Sequence, residues 1–321
     1  MLVRSIVATL LFAALASPAH AQDAYPNRPI RIVVGFQAGS ASDVAARVVG
    51  QKLNEILQTS VIVENRPGGS SDIAAKAVAA APPDGYTLYL CTVANAINLA
   101  SKGPGATDIS TALLPIAQIG EVPNILVVNP GLPAHTVGDV IRLAKKKPGT
   151  LAYASAGNGS ALHMAAELFS TISGIRLLHV PYQGSAPAMA DLLGGRTSLM
   201  FAPASTVLAL VKAGQLRAIA SATTRRLASA PDIPTAAEQG LANFESSVWT
   251  GLLAPVGLPA PIARKLEAAI LQATASNDVV AQFSAQGIDV VQRDHASFAA
   301  YIKSENTKWS SVIQASSLKL N

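Results

Sequence analysis

The chain has 321 residues, of which 50% are hydrophobic and only 13% are charged. Such a composition predicts a large buried core and excludes a disordered chain. The formal net charge of +5 is spread along the sequence, and its one basic run, residues 145–147, precedes Pro148 and Gly149. Lysines at the C-terminal end of a helix interact favourably with the helix dipole, which explains this run. Nucleic-acid binding therefore gains almost no support. The chain is longer than a single hydrophobic core usually accommodates, so we predict two lobes.

The N-terminal residues 1–21 have the features of a secretory signal peptide. Arg4 precedes an apolar run over residues 6–15, and Ala-His-Ala at residues 19–21 forms a small-residue cleavage site. About 20 apolar residues are needed to span a bilayer, so this run is too short, and no later segment is long and uninterrupted enough. We therefore expect an exported chain that is cleaved after Ala21.

The chain contains one cysteine, Cys91, so no internal disulfide is possible. It follows a predicted strand, and no His or Lys lies close to it in the sequence. A thiol without a nearby cation is not activated. We therefore interpret Cys91 as a small buried hydrophobic residue rather than a reactive group.

Strands and helices alternate along the chain, which is typical of an α/β fold with parallel strands. In the first half, strands are predicted at residues 30–34, 61–63 and 87–90. The helix after the first strand places on one face Val44, Val48, Leu53, Ile56 and Leu57. The second strand leads to a helix capped by Ser70 or Ser71, and the third ends in Thr92 and Asn95.

The second half repeats this order, with strands predicted at residues 151–154, 176–180 and 198–201. The helix after the first of them places on one face Leu162, Ala165, Phe169 and Ile172. Small polar residues follow each strand, with Gly184 and Ser185 beside Tyr182 after the second and Thr206 after the third. Ligands of open parallel sheets lie outside the carboxyl ends of the strands. Two facing sheets of this kind would form a cleft between lobes.

Two junctions of strand, Gly/Ser loop and helix match each other, IRIVVGFQAGSASDVAARVV from Ile30 and LAYASAGNGSALHMAAELF from Leu151. Each loop opens the N-terminus of a helix, where unpaired N–H groups and the helix dipole attract an anion. Two such junctions predict two lobes that hold one negatively charged ligand.

The chain is predicted to cross between the halves twice, at residues 123–128 and near residues 244–253. The first crossing precedes a helix with Thr136 as N-cap and Asp139 three residues later. The tail is predicted to be helical and to pack on the first lobe. Its two apolar stripes are Ile262, Leu266, Ile270 and Ala273, and Phe298, Ile302 and Trp309.

An enzyme would need a nucleophile with a base, or a metal cluster. The sequence contains no G-x-S-x-G, G-x-x-x-x-G-K-[ST] or H-E-x-x-H motif, and Leu162 stands where the third glycine of a dinucleotide loop belongs. His163 and Glu167 lie one helical turn apart, and without a third ligand we interpret them as a surface pair. We therefore expect no catalysis, no metal and no cofactor.

Segments along the whole mature chain carry a family resemblance. In order, they read YPNRPIRIVV, VIVENRPGG, PDGYTL, PNILVVNP, KPGTLAYASAGNGSALH, HVPYQGSAPAMADLLGGRTSLMF, IPTAAEQG and WTGLLAP. Together they resemble the extracytoplasmic receptors of tripartite tricarboxylate transporters, also called Bug-type receptors.

The resemblance implies an α/β, two-lobed periplasmic binding protein of the type II, Venus-flytrap kind, with a mostly parallel sheet in each lobe and two crossovers. Residues 22–122 and 249–321 would form lobe 1, and residues 123–248 would form lobe 2. Such a receptor is expected to be a periplasmic monomer that carries a small organic carboxylate to the membrane components of its transporter.

Members of the family usually bind a carboxylate through backbone amides, hydroxyls and bridging waters from both lobes. Carried over to the first loop, the resemblance implies contacts from Phe36, Ala38, Gly39, Ser40, Ser42 and Asp43. In the second loop it implies Ser155, Asn158, Gly159, Ser160 and His163. Neighbouring strand ends add Thr92, Asn95, Tyr182, Ala202 and Thr206. Two alternatives stay open: Ser40 or Ser42 caps its helix instead, and His163 packs locally instead.

The chain departs from the family pattern in two places. It reads GFQAGS at residues 35–40 where relatives commonly read PFPPGG, so it loses prolines and gains Gln37. It has Ala202 and Pro203 where many relatives place an acidic residue that could pair with a ligand ammonium. We therefore expect a carboxylate without a positive group, with an apolar or aromatic body. Presentation of the ligand to a membrane sensor is the alternative function.

Overall fold

The computed structural model describes residues 25–227 and 229–316, so the predicted signal peptide lies outside the described residues. The strands are β1 (Ile30–Val34), β2 (Val61–Asn65), β3 (Thr87–Thr92), β4 (Leu113–Val128), β5 (Ala152–Ser155), β6 (Leu178–Pro181), β7 (Leu199–Pro203), β8 (Arg217–Ser221) and β9 (Ser247–Pro255). The helices are α1 (Ala41–Leu57), α2 (Asp72–Ala79), α3 (Val93–Lys102), α4 (Ile109–Ala112), α5 (Val137–Lys146), α6 (Ala161–Ser173), α7 (Ser185–Leu193), α8 (Ala204–Lys212), α9 (Ala260–Ala275), α10 (Asn277–Ala285) and α11 (His295–Ser316).

The strands form two blocks that share β4. The order is β2-β1-β3-β9-β4 in the first block, and β4-β7-β5-β6 in the second, where β8 also pairs with β4. In each block three strands are parallel, β1 with β2 and β3, and β5 with β6 and β7. The strands β4 and β9 are antiparallel to their neighbours. The α/β fold is thus confirmed, with antiparallel crossing strands added to each parallel core.

Both chain crossings lie side by side. Strand β4 pairs with β9 as far as Pro123 and with β7 from Asn124 onward. Ser247 of β9 is opposite Pro123, and Ser246 accepts a hydrogen bond from the Asn124 N–H at 3.1 Å. Two adjacent strands therefore connect the blocks. The exact lobe boundaries stay a prediction.

Three local predictions are corrected by the packing. Ile172 is 37% exposed, whereas the other three residues of its predicted face are buried. The strand predicted at residues 176–180 occupies Leu178–Pro181. Ser71 lies at the N-cap position of α2 without a capping hydrogen bond. Its hydroxyl instead bonds the Tyr89 hydroxyl at 2.5 Å.

The loop before α2 is shaped by close packing against the first junction. A Cβ atom at Gly35 would overlap the Ser71 side chain, so only glycine fits there. Ser70 and Ser71 both have positive φ angles, of 55° and 76°. Such backbone is rare outside glycine and marks a segment held by its surroundings.

The C-terminal helices pack on the first block, as predicted. Helix α9 contacts α1, and α11 contacts α3 and β4. Helix α11 also contacts α6 of the second block. Cys91 is fully buried and donates to the Gly251 carbonyl at 3.3 Å, and burial raises the pKa of its thiol. None of the described helices combines the length and apolarity that a bilayer crossing needs.

Glu305 is a buried acid that ties α11 to β9. Its Oε2 atom accepts hydrogen bonds from Trp249 Nε1 at 2.8 Å and from Trp309 Nε1 at 3.0 Å. Its Oε1 atom pairs with Lys308, and the residue is only 3% exposed. A buried carboxylate is tolerated when it is paired and hydrogen-bonded, so these partners make Glu305 a tether between the tail and the crossing strand.

Replacing Glu305 by Ala should lower the free energy of unfolding by about 3–5 kcal/mol, because two indole N–H groups and one ammonium lose their partner. Urea denaturation measures this loss. The matched control is Glu55→Ala, whose side chain is 58% exposed and pairs with Lys52. It should cost less than about 1 kcal/mol. Equal losses for the two variants would contradict the tether.

Candidate functional site

A cavity of about 570 Å³ lies between the first and second junctions. Its walls are Phe36, Ser42, Ser70, Thr92, Val93, Ala94, Ile97, Asn98, Ser101, Lys102, Asn158, Gly159, Ser160, Ala161 and Val248. Three helices, α1, α3 and α6, direct their N-terminal turns to it. The first N–H groups of a helix have no acceptor inside the helix, so the cavity collects several backbone donors.

The N-terminus of α1 is fixed by a chain of local hydrogen bonds. Ser40 Oγ accepts from the Asp43 N–H at 3.3 Å, and Asp43 Oδ2 accepts from the Gly39 N–H at 2.9 Å. Asn65 Nδ2 donates to Asp43 Oδ1 at 2.9 Å, and Arg47 pairs with the same carboxylate. Burial favours a raised pKa for Asp43, but the bonds from Arg47, Gly39 and Asn65 prevail and lower it. Asp43 therefore stays charged and holds the loop.

The N-terminus of α6 is built in the same way. Ser160 Oγ accepts from the His163 N–H at 3.2 Å, and His163 Nδ1 accepts from the Gly159 N–H at 3.0 Å. Gly159 has a φ of 71°, close to the 82° of Gly39. His163 thus occupies the place that Asp43 occupies in the first loop. In both loops the serine caps the helix, and the residue three positions later fixes the glycine.

The third N-terminus, that of α3, carries a reciprocal cap. Thr92 Oγ1 accepts from the Ala94 N–H at 3.2 Å, and Asn95 Oδ1 accepts from the Thr92 N–H at 3.1 Å. Asn95 also donates to the Tyr89 hydroxyl at 2.9 Å. Burial raises the pKa of Tyr89, so its hydroxyl remains a neutral partner. This network holds the end of β3 beside the cavity.

His163 is buried and Glu167 is partly buried, which corrects their interpretation as a surface pair. His163 is 1% exposed, and its ring stacks on His179 with centroids 4.0 Å apart. Its Nε2 atom lies 3.8 Å from Glu167 Oε1 and has no hydrogen-bond partner among the described residues. Tyr153 donates to Glu167 at 2.7 Å. Burial, with help from His179, lowers the pKa of His163 to about 4.

No Asp or Glu of the described residues lines the cavity. Lys102 is the one charged side chain among the lining residues of the described chain. Ser42, Ser70 and Asn158 line the cavity, and their side chains make no hydrogen bond within the described residues. With three helix dipoles directed to it, this wall attracts an anion and offers nothing to neutralise a cation.

Six of the residues singled out by sequence line the cavity, namely Phe36, Ser42, Thr92, Asn158, Gly159 and Ser160. Asn95 is adjacent in the chain to the lining residue Ala94, whereas Ala38, Ser40 and His163 are each two positions from a lining residue. Gly39 lines a separate groove beside α8 and α10. Asp43 is turned into its own loop.

The remaining candidates have other partners. Ser155 bonds His179 Nε2 at 2.6 Å, and the Tyr182 hydroxyl donates to Asp191 at 2.7 Å. Ala202 is fully buried, and Thr206 is exposed and bonds the Pro203 carbonyl. The roles of all these residues in binding stay predictions.

The sequence reasoning missed one wall of the cavity, which α3 supplies. Its lining residues are Val93, Ala94, Ile97, Asn98, Ser101 and Lys102. A signal was present, because the third strand end at Thr92 was already marked and positions 94, 97, 98 and 101 share one helix face. Val248 of the second crossing was also missed.

Comparison with known proteins defines the family. The family model described as the tripartite tricarboxylate transporter family receptor, TctC, matches residues 45–318. Protein BugT from Bordetella pertussis (strain Tohama I) is 35% identical, with 96% of this chain and 95% of that protein covered. The chain therefore belongs to the tripartite tricarboxylate transporter receptor family.

Solved structures agree with this assignment. A TctC solute-binding protein from Polaromonas has a TM-score of 0.81 at 27% identity, covering 90% of this chain and 99% of that one. An R. palustris protein solved with adipate has a TM-score of 0.74 at 31% identity, covering 91% and 98%. The two-lobed periplasmic-binding-protein fold is thereby confirmed, and the family is one of solute-binding receptors.

His163 leads to a prediction about pH. Its pKa is lowered from 6.5 to about 4 in the folded protein, so the unfolded chain binds more protons between those values. Its contribution to stability is fully present above pH 6.5 and is lost as the pH falls toward 4, by up to about 3 kcal/mol. Urea unfolding at successive pH values measures this slope.

The variant His163→Asn keeps an acceptor for the Gly159 N–H and removes the titrating ring, so its stability should depend less steeply on pH in this window. Burial raises the pKa of Glu167, whose effect has the opposite sign and is present in both proteins. The exposed His135→Asn serves as control and should keep the original slope. An unchanged slope in His163→Asn would refute the assignment.

Proposed function

We propose that this chain is an extracytoplasmic solute-binding receptor that captures a small carboxylate between its lobes. In this proposal it is exported to the periplasm after cleavage at Ala21, works as a monomer and delivers its ligand to the membrane components of a tripartite tricarboxylate-type transporter. Its family membership and the adipate bound to a relative support this function. It performs no catalysis in this role.

The observation that carries the proposal is the convergence of three helix N-termini on one cavity that no Asp or Glu of the described residues lines. Backbone N–H groups of α1 and α6 reach the cavity from opposite blocks, and Ser42 and Asn158 add side-chain donors. Hydrogen bonds to a charged acceptor are stronger than those between neutral groups. A carboxylate is the organic anion that such a site would hold, directly or through water.

The mechanism follows from the paired crossings. The two blocks are joined at β4 and β9, where Pro123 lies opposite Ser247. Adjacent connecting strands allow one lobe to rotate against the other by small changes in backbone angles. A ligand that contacts both α1 and α6 stabilises the closed arrangement more than the open one, and this difference drives closure.

The cavity wall also indicates which carboxylates are excluded. Ala202 is buried in the sheet and contributes no charge, and no lining residue of the described chain is Asp or Glu. The ammonium of an amino acid would lose its water without gaining a counter-charge, which is costly. We therefore propose a ligand without a positive group.

Calorimetry should detect binding of mono-, di- or aromatic carboxylates chosen by thermal-shift screening, because a ligand of the folded state raises the melting temperature. Ser160→Trp should fill the cavity and abolish binding with an unchanged circular dichroism spectrum. Ser160→Ala is the matched control: it removes the cap, costs about 0.5–2 kcal/mol of stability and leaves the cavity open. Binding of glutamate or aspartate with Kd below about 1 μM would contradict the ligand class.

Presentation of the ligand to a membrane sensor is a second candidate, since the same closed form could dock on either partner. Deletion of the gene separates the two. Loss of carboxylate uptake, restored by the intact gene and not by one that encodes Ser160→Trp, is the outcome expected for transport. Intact uptake with lost induction of the catabolic genes would instead support signalling.

A further inference from the structure

The cavity follows the whole length of α3. It is lined by Thr92, which caps this helix, and by Lys102, its last residue. An α-helix rises 1.5 Å per residue, so the ten steps from Thr92 to Lys102 span about 15 Å. The site is therefore elongated, and α3 forms its long wall.

The chemistry of the wall changes along this length. At the Thr92 end lie the N-terminal turns of three helices and their N–H groups. Apolar side chains of Phe36, Val93, Ile97 and Val248 also line the cavity. At the far end of α3 lies Lys102, the one cation among the lining residues of the described chain.

Lys102 has no established task within the protein. It is exposed, and no carboxylate of the described residues forms an ion pair with it. A lysine in the last turn of a helix complements the helix dipole, and this effect alone would explain it. Lys212 is equally exposed in the last turn of α8 but lies outside the cavity, so it shows what the dipole effect contributes by itself.

We propose that Lys102 is a specificity-determining residue that binds a second anionic group, so that the preferred ligand is an elongated dicarboxylate with an apolar spacer. This inference rests on the proposed function, in which the first carboxylate lies at the helix N-termini. Lys102 then holds the second carboxylate, and the apolar side chains contact the spacer.

The geometry sets the length of the spacer. A lysine side chain reaches about 6 Å from its Cα atom, so the two carboxylates would lie about 9–15 Å apart. An extended hydrocarbon chain advances about 1.3 Å per carbon–carbon bond. Straight diacids of about 8–12 carbon atoms match this distance, and butanedioate is too short to reach both ends.

Calorimetry with matched pairs of diacid and monoacid tests this inference. Decanedioate should bind the unaltered protein more tightly than decanoate and more tightly than butanedioate. Lys102→Met should weaken decanedioate binding about five-fold, the upper range for an exposed ion pair, and leave decanoate binding unchanged. Lys102→Glu should weaken decanedioate binding further. Added salt should reduce the preference for the diacid in the unaltered protein only.

Lys212→Met is the control and should change neither affinity. If Lys102→Met binds decanedioate as tightly as the unaltered protein does, the inference is overturned while carboxylate binding stands. If no mono- or dicarboxylate binds the unaltered protein, the proposed function fails together with the inference. Thermal melting of Lys102→Met should match that of Lys212→Met, since each removes one exposed lysine from the last turn of a helix.

Discussion

The site depends on backbone N–H groups that a helix cannot satisfy within itself. Helices α1, α3 and α6 begin at one cavity, and serine or threonine caps take up part of their donors. The remaining donors, the three helix dipoles that begin at the cavity and the lack of an acidic lining residue in the described chain favour a negative ligand. In the proposed receptor, charge selection would therefore come mainly from backbone geometry, which leaves the side chains free to determine ligand size and shape.

The two junctions share one design with different chemistry. Each has a glycine in the left-handed region, a capping serine and a third side chain that accepts the glycine N–H. That third group is Asp43 in one lobe, supported by Arg47, and His163 in the other, close to Glu167. Asp43, which holds the first loop, remains charged over the usual pH range. The second loop depends on the neutral imidazole of His163, so acidification should affect the second lobe first.

The sequence predicted the junctions well because an apolar strand, a Gly/Ser loop and a capped helix are local signals. It did not predict that β4 begins at Leu113, since Pro115 and Gly120 interrupt the apolar pattern. The strand accommodates both through shifts in register next to β9. Ile172 has the correct spacing for a buried face, but spacing does not reveal what packs there. The strand end at Thr92 indicated where the α3 wall begins, but the extension of the cavity to Lys102 required the tertiary arrangement, because Lys102 is far in sequence from both loops.

The central claim is that one carboxylate is held by helix N-termini from both lobes. A crystal structure with a bound carboxylate, selected by thermal shift, tests it most directly. The account predicts carboxylate oxygens within hydrogen-bond distance, directly or through one water, of the first turns of α1 and α6, beside Ser42 and Ser160. A carboxylate bound with high affinity outside this cavity, or held by one lobe alone in a closed protein, would contradict it.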